Sequence, residues 1–461
     1  MNPVSGALKF LASASFNVAV AFVFFLFAAR YETPSFVGKV AIVQLLEVVA
    51  GSFLALLSSN LITREVSHGL GKGEQREDVV RTALGLPLAV SPALALLLLF
   101  PSYVKLSIPY LFLYLLGVYQ AAVLTGLGKF TEVNVGNAVF TLGRWGFSVL
   151  AVVERSVTLL ILVWTLGALA RGLYYQTCIG WRTFGFSPST FRSTFRTGLP
   201  LYLSNAVSFL SSQGDRVTTA YLLGSSSLGV YQLMSLISSV PNLILGSLAS
   251  PLLSSSSFHM ARRKDVREMA SLSFRVYSVL SLPVAVLGVG VLPPLVSSLF
   301  PQYVSGLPSL EVLVLSTTAA APFTYGLNSF LVAAKRDYLP FLYLGAASAA
   351  EVVITSYLLI PRFQIFGAAV SQVGNAVLAS SVLLWLSLRQ GVMGVGRREA
   401  AALGLIAVAS LSLWAWWAAL LLVLVGARAA GVVNRGEASL IISLLPPRLK
   451  GIGVLLRAIS A

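Results

Sequence analysis

Residues 198–253 read GLPLYLSNAVSFLSSQGDRVTTAYLLGSSSLGVYQLMSLISSVPNLILGSLASPLL. Two apolar runs of membrane length meet near Gly224, so the stretch reads as two consecutive membrane helices. The first carries Asn205, Ser208, Ser212, Asp215 and Thr219, a three-and-four spacing that gathers all five on one face of a helix whose other faces are apolar. Arg216 lies about 100° further round, at the edge of that face. A charged side chain inside hydrocarbon costs roughly 2.5–3.5 kcal/mol on insertion scales, so Asp215 and Arg216 should face a water-filled cavity or a partner. The structural alternative is an ion pair that only fixes helix packing.

Composition places the rest of the chain in the same medium. Of 461 residues, 57% are hydrophobic and 10% charged, against about 45–50% and 25% in an ordinary soluble protein. The expected class is an all-α polytopic protein of the cell membrane. The lone cysteine, Cys178, excludes an internal disulfide framework and a cysteine metal cluster, and His68 and His259 fall in charged loops, so neither a cofactor, a metal site nor a histidine-based catalytic triad is expected. The net charge of +16 is read as a topology signal and an attraction to anionic lipid heads, with no nucleic-acid partner.

Apolar runs cover residues 8–29, 37–62, 82–101, 106–127, 133–153, 157–177, 199–223, 227–253, 274–298, 307–332, 338–360 and 366–388, which makes twelve secure spans. Residues 400–429 are long for one span and short for two. With the N-terminus cytoplasmic, inner segments hold twenty Lys and Arg, Arg171 and Arg275 among them, and outer loops hold five. A basic tail belongs inside only if 400–429 is a tight hairpin, and the expected total is then about fourteen transmembrane helices. The division expected is a six-helix lobe over 1–180, a second over 181–390, an additional hairpin over 391–430 and a cytoplasmic amphipathic tail over 431–461.

The two lobes show as a repeat. LFPSYV at 99–104 recurs as LFPQYV at 299–304, and residues 36–74 align on 227–265 without a gap, pairing Gly38 with Gly229 and His68 with His259. An even number of spans per repeat gives both halves one orientation, so the lobes should be parallel and related by a pseudo-two-fold along the membrane normal, with substrate between them.

Polar faces at helical spacing mark the cleft. One runs Asn134, Asn137, Thr141, Arg144, Ser148; another Tyr231, Ser235, Ser238, Asn242; a third Gln44, Glu47, Gly51, Ser58. Small and polar residues at such spacing also glue helices, so for the second and third of these both readings stand. Arg144 tips the first toward function, because a guanidinium fork suits a phosphate or diphosphate. The substrate-binding candidates are Arg144, Arg216, Asn137, Asn205, Tyr231 and Asn242; the ion-coupling candidates are Asp215 and Glu47. No ATP site is visible, so transport must draw on an ion gradient or run downhill.

QGDRVTTAYLLGSSSLGVYQLMSLISSVP, the repeat of six plus six spans, the final hairpin and the ending ASLIISLLPPRLKGIGVLLRAI together resemble the polysaccharide (O-antigen type) flippases of the multidrug/oligosaccharidyl-lipid/polysaccharide flippase superfamily. The resemblance covers nearly the whole chain and is most specific from Asp215 to Tyr231. It implies a V-shaped pair of lobes, not an enzyme. Such a carrier moves a polyprenyl-diphosphate-linked oligosaccharide from the cytoplasmic to the outer leaflet by alternating access, coupled to protons or sodium, and it would work as a monomer among membrane lipids. Two rivals share the scaffold: a multidrug and toxic-compound cation antiporter, which would favour an acidic, aromatic cleft, and a flippase for the peptidoglycan lipid precursor. Two arginines against two acids in the candidate cleft suit an anionic headgroup better. A membrane glycosyltransferase or ligase would need a large soluble domain or an outer acidic metal site, and the outer loops are only a few residues long.

Overall fold

The computed structural model describes residues 3–71, 77–180, 184–246, 267–328, 330–331 and 339–437. Every described element is helical: α1 (Pro3–Tyr31), α2 (Pro34–Val49), α3 (Ser59–Gly71), α4 (Glu77–Leu94), α5 (Ser102–Leu106), α6 (Ile108–Gly126), α7 (Phe130–Thr141), α8 (Ser148–Val153), α9 (Val157–Ile179), α10 (Pro188–Ser238), α11 (Val240–Gly246), α12 (Arg267–Leu299), α13 (Leu307–Ala319), α14 (Leu339–Phe363), α15 (Ile365–Arg389), α16 (Arg397–Ala409) and α17 (Ser412–Ala429). Among the described residues, 10 helices are long and apolar enough to cross a membrane, and Phe16–Tyr31 is a shorter apolar helix. That is fewer than the run lengths suggest, and the reasons are local. The polar face on α10 dilutes its hydropathy, and the run at 227–253 extends past the described residues. The expected tail beyond Glu437, and the loop holding His259 and Lys264, also lie outside them.

Four sequence features account for the breaks. Gly224 adopts φ 78° and ψ −175° inside α10, a conformation open to glycine at little cost, and it divides α10 into the two helices anticipated from 198–253. Both copies of the repeated hexapeptide sit at a helix break, where Pro101 precedes α5 and Pro301 opens a short 3₁₀ turn, Pro301–Gly306. At 400–429 the helix stops at Ala409 and restarts at Ser412, giving a hairpin whose first arm has 13 residues, about 20 Å at 1.5 Å per residue. At the start of α2, Pro34 stands at the first helical position and the Thr33 hydroxyl accepts from the Phe36 N–H at 3.4 Å.

Three helices widen into π-turns, at Ala50–Leu54, Leu142–Gly146 and Pro322–Leu327. The first two carry bonds from Ala55 N–H to the Ala50 carbonyl and from Phe147 N–H to the Leu142 carbonyl, and they frame Glu47 and Arg144. An extra residue in a helical turn swings side chains off the regular 3.6 register, which is why such turns gather at functional sites.

The chain divides into two compact units, Met1–Gln213 with Leu223–Gly229, and Gly214–Leu222 with Val230–Ala461. The first packs α6 against α9, α3 and α4, and α7 against α9 and α1. Within it, α2 crosses the segment after Gly224 at Gly38 and Gly229, the two glycines that the repeat alignment pairs. A Cβ on Gly38 would stand 1.6 Å from the Ser225 carbonyl oxygen, and one on Gly229 1.8 Å from that of Pro34. Gly38→Ala is therefore expected to part these helices, seen as a loss of monodisperse protein on size exclusion in detergent; a variant as well behaved as wild type would show that the crossing tolerates a methyl group. The second unit packs α12 against α13, α16 and α17, and α14 against α15, around a core that includes Phe274, Tyr277, Phe330 and Val423.

Candidate functional site

The first unit holds a buried ionic cluster. Glu47, at the end of α2, and Arg144, inside the second π-turn, are 8% and 6% exposed. An Arg144 Nη2–Glu47 Oε2 contact of 2.6 Å and an Nη1–Oε1 hydrogen bond of 2.9 Å make the pair bidentate, the fork-to-fork geometry that only arginine offers a carboxylate. Tyr110 on α6 donates to Glu47 Oε2 at 2.6 Å. The guanidinium carbon lies 4.3 Å from the Trp145 ring centroid and 4.5 Å from that of Trp164, so aromatic faces solvate the charge where water is excluded. Trp164 Nε1 donates to the Ser148 hydroxyl at 2.8 Å, and that hydroxyl donates to the Arg144 carbonyl. Thus α2, α6, α9 and the turn after α7 all hold one ion pair.

A second arginine lies in the same unit. Arg171, grouped with the cytoplasmic cations in the charge count, lies on α9 and is 5% exposed. Its guanidinium carbon stacks 3.9 Å from the Phe140 centroid and 5.7 Å from that of Tyr114, and Nη2 donates to the Tyr114 carbonyl at 3.3 Å. Asn137 is one turn away, where the Tyr175 hydroxyl reaches its Oδ1 at 3.1 Å and the Val133 carbonyl at 2.8 Å.

In the second unit, Asp215 is 2% exposed and Tyr231 0%. The Tyr231 hydroxyl donates to Asp215 Oδ2, the Thr219 hydroxyl donates to the Asp215 carbonyl at 2.7 Å, and Oδ1 is buried without a hydrogen-bond partner. Arg216 donates to the Ser235 hydroxyl at 2.8 Å, so the polar faces on either side of Gly224 meet each other. Asn242 lies in the first turn of α11 and has a buried Oδ1 with no partner; Asn205 is exposed on α10. The structure therefore joins Glu47 to Arg144 in one unit, and Asp215 to Tyr231 in the other. Within the first unit, Asn205 joins neither Glu47 nor Arg144, and Asn137 accepts from Tyr175.

Several participants escape a reading of polar spacing. Tyr110 and Arg171 sit in runs that read as plain membrane helix, although Trp164, Ala168, Arg171 and Tyr175 at four, three and four are legible in retrospect as one buried face of α9. In the second unit, Glu351 on α14 accepts from the Thr355 hydroxyl at 3.2 Å, and its Oε2 is buried without a partner. Arg275, also counted with the cytoplasmic cations, is 5% exposed on α12. It meets Glu399 at 3.2 Å, Glu437 at 3.0 Å and the Val432 carbonyl at 3.2 Å.

Several solved structures share this fold. A multidrug resistance MATE family transporter of the MOP superfamily, in an inward-facing conformation, matches with a TM-score of 0.62 and 16% identity over 82% of this chain and 95% of that one. The lipid II flippase MurJ, inward closed, matches with a TM-score of 0.66 and 13% identity over 91% and 97%. The chain has the MOP fold. A MOP superfamily transporter from Pyrococcus furiosus is also similar, at a TM-score of 0.50 and 14% identity over 85% and 96%. A family model described as polysaccharide biosynthesis protein matches residues 112–303, which on the MOP fold reach from α6 to the break after α12. No curated protein matches the sequence. Family model and fold together support the resemblance to polysaccharide and lipid flippases, and the 10 long apolar helices among the described residues make this a multi-pass membrane protein.

Proposed function

We propose that the protein is a flippase moving a polyprenyl-diphosphate-linked oligosaccharide from the cytoplasmic to the outer leaflet, driven by an ion gradient. The observation that carries this reading is the charge inside the first unit. Two buried guanidinium groups, Arg144 and Arg171, share a cluster with one carboxylate, Glu47, among tyrosine and tryptophan rings, while Glu32, the unit's other buried acid among the described residues, meets Arg155 at 3.9 Å. A cluster with one more guanidinium than carboxylate attracts an anionic headgroup and repels the cationic drugs of an antiporter.

In this mechanism Glu47 holds Arg144 until a diphosphate competes for the fork or a proton neutralises the carboxylate. Either event releases a bidentate donor to a phosphate oxygen. Arg216 and the amides Asn137, Asn205 and Asn242 supply further donors along the path, and Tyr231 holds Asp215. Asp215 carries the coupling ion: it is a buried acid with one oxygen engaged by Tyr231 and the other without a partner. The chain works as a monomer with its N-terminus cytoplasmic, and the expected lobes at 1–180 and 181–390, the hairpin at 391–430 and the tail at 431–461 belong to the same proposal.

Translocation of a short-chain polyprenyl-diphosphate oligosaccharide in proteoliposomes, with and without imposed pH and sodium gradients, tests it. Wild type should translocate faster under an inward gradient, and Asp215→Asn should translocate at a basal rate indifferent to either gradient. An asparagine variant as gradient-dependent as wild type removes Asp215 from coupling and moves the role to Glu47.

A further inference from the structure

The final hairpin is shorter than the helices beside it. In the second unit, α14 and α15 have 25 residues each, about 38 Å at 1.5 Å per residue, enough to cross a hydrocarbon core of about 30 Å. Residues 390–396 lead directly from α15 to α16, so the next hairpin starts from the same side. Its arms have only 13 and 18 residues, about 20 and 27 Å. The second arm is also broken, because Ala415 stands at φ −149° and ψ 81°.

Both arms pack along α12, which fixes their height. At the base, Arg275 of α12 meets Glu399 of α16 at 3.2 Å and the Val432 carbonyl, just past α17, at 3.2 Å. At the tip, Gly290 of α12 lies so close to Trp416 that a Cβ there would stand 2.3 Å from the indole Cδ2. From Arg275 to Gly290 is about 22 Å along the helix, and α12 runs on to Leu299, about 14 Å beyond the tip. That continuation is built for hydrocarbon: Val291, Leu295 and Leu299 are exposed on it at a spacing of four.

The tip carries side chains that do not belong in mid-leaflet. Trp414 is 91% and Trp417 62% exposed. An indole has an apolar body and an N–H donor, so exposed tryptophans settle where hydrocarbon meets headgroup. A span that is too short is accommodated by snorkelling side chains, by oligomerisation or by local thinning of the bilayer. Snorkelling is closed here, since residues 410–417 read SLSLWAWW and hold no Lys or Arg. Raising the hairpin is closed as well, because it would pull Glu399 from the buried Arg275.

We infer that the hairpin tip is a lipid-binding surface that draws the headgroups of its leaflet inward by about 8 Å, leaving a strip of thinned bilayer along α16 and α17. Trp414 and Trp417 hold the lowered interface, and Arg275 holds the hairpin at that depth. The partner is the lipid surface itself, so the inference stands whatever the protein carries. For a carrier of a polar headgroup, such a strip shortens the hydrocarbon path beside the second unit.

The test is nitroxide depth measurement on the full chain in phosphatidylcholine vesicles, in a Cys178→Ser background. Collision with oxygen, which concentrates in hydrocarbon, is compared with collision with a water-soluble nickel chelate. One label goes at Leu411→Cys on the hairpin tip and one at Phe363→Cys, at the turn of the longer α14–α15 pair; these side chains are 48% and 55% exposed. The two labels should give the same nickel-to-oxygen ratio, that of the headgroup region. Trp414→Leu with Trp417→Leu should lower the ratio at 411 severalfold and leave that at 363 unchanged. A ratio at 411 severalfold below that at 363 with the tryptophans in place would overturn the inference, as would one that ignores their loss. Shielding of the 411 label from both reagents would put a second copy of the chain on the tip in place of lipid, and overturns it too.

Discussion

Arg144→Ala is expected to be the most damaging single change in the first unit. It removes a bidentate partner from Glu47 and leaves a carboxylate only 8% exposed with no cation paired to it and tyrosine hydroxyls such as that of Tyr110 as donors. Breaking one side of a buried pair costs about 3–5 kcal/mol, whereas replacing both partners by apolar residues of similar volume is often neutral. That asymmetry separates packing from function. The double variant Arg144→Met/Glu47→Leu should recover most of the stability lost by Arg144→Ala, read as Tm in detergent, yet should transport no lipid-linked oligosaccharide. If it regains both, the pair is structural and the substrate path lies elsewhere. Arg144→Lys, which keeps the charge and loses the fork, should insert normally and transport slowly.

The second large effect is expected at Arg275. This side chain joins α12 to Glu399 in the first turn of α16 and to Glu437 beyond α17, so one buried cation ties the final hairpin to α12 within the second unit. Glu399 also accepts from the Gly396 N–H at 2.9 Å and Glu437 from the Asn434 N–H at 2.8 Å, which places both carboxylates before the arginine arrives. Arg275→Ala leaves two carboxylates facing each other and should cost about 3–5 kcal/mol, lowering the Tm and exposing the chain after Val433 to protease. Arg398 meets the same Glu437 at 3.7 Å with its side chain 43% exposed, so Arg398→Ala should cost less than about 1 kcal/mol. Equal losses for the two would show that the charge at this end matters more than its burial.

These sites show where sequence patterning reaches and where it stops. Membrane class, the break at Gly224, the hairpin at 400–429 and the polar faces on either side of Gly224 all follow from local rules: run length, glycine's freedom at positive φ, and a period of 3.6. Glu47 and Arg144 were legible as charges in apolar runs, but their pairing was not, because 97 residues separate them and π-turns reset the side-chain register on both helices. The burial of Arg171 and Arg275 was illegible for a related reason. A charge count by segment assumes that an arginine near the end of an apolar run lies in the headgroup region, and each of these is drawn inward by a specific acceptor or ring that only tertiary packing supplies.

The most direct measurement is a head-to-head assay in proteoliposomes of one preparation, loaded either with a polyprenyl-diphosphate-linked oligosaccharide in the inner leaflet or with a fluorescent organic cation in the lumen. Appearance of the glycan is scored by a membrane-impermeant glycosidase, and loss of the cation by fluorescence. The account predicts glycan exposure by wild type, none by the Arg144→Met/Glu47→Leu variant, and no cation efflux from either. Gradient-driven cation efflux with the glycan lipid left in the inner leaflet would contradict it and make the protein an antiporter on the MOP fold.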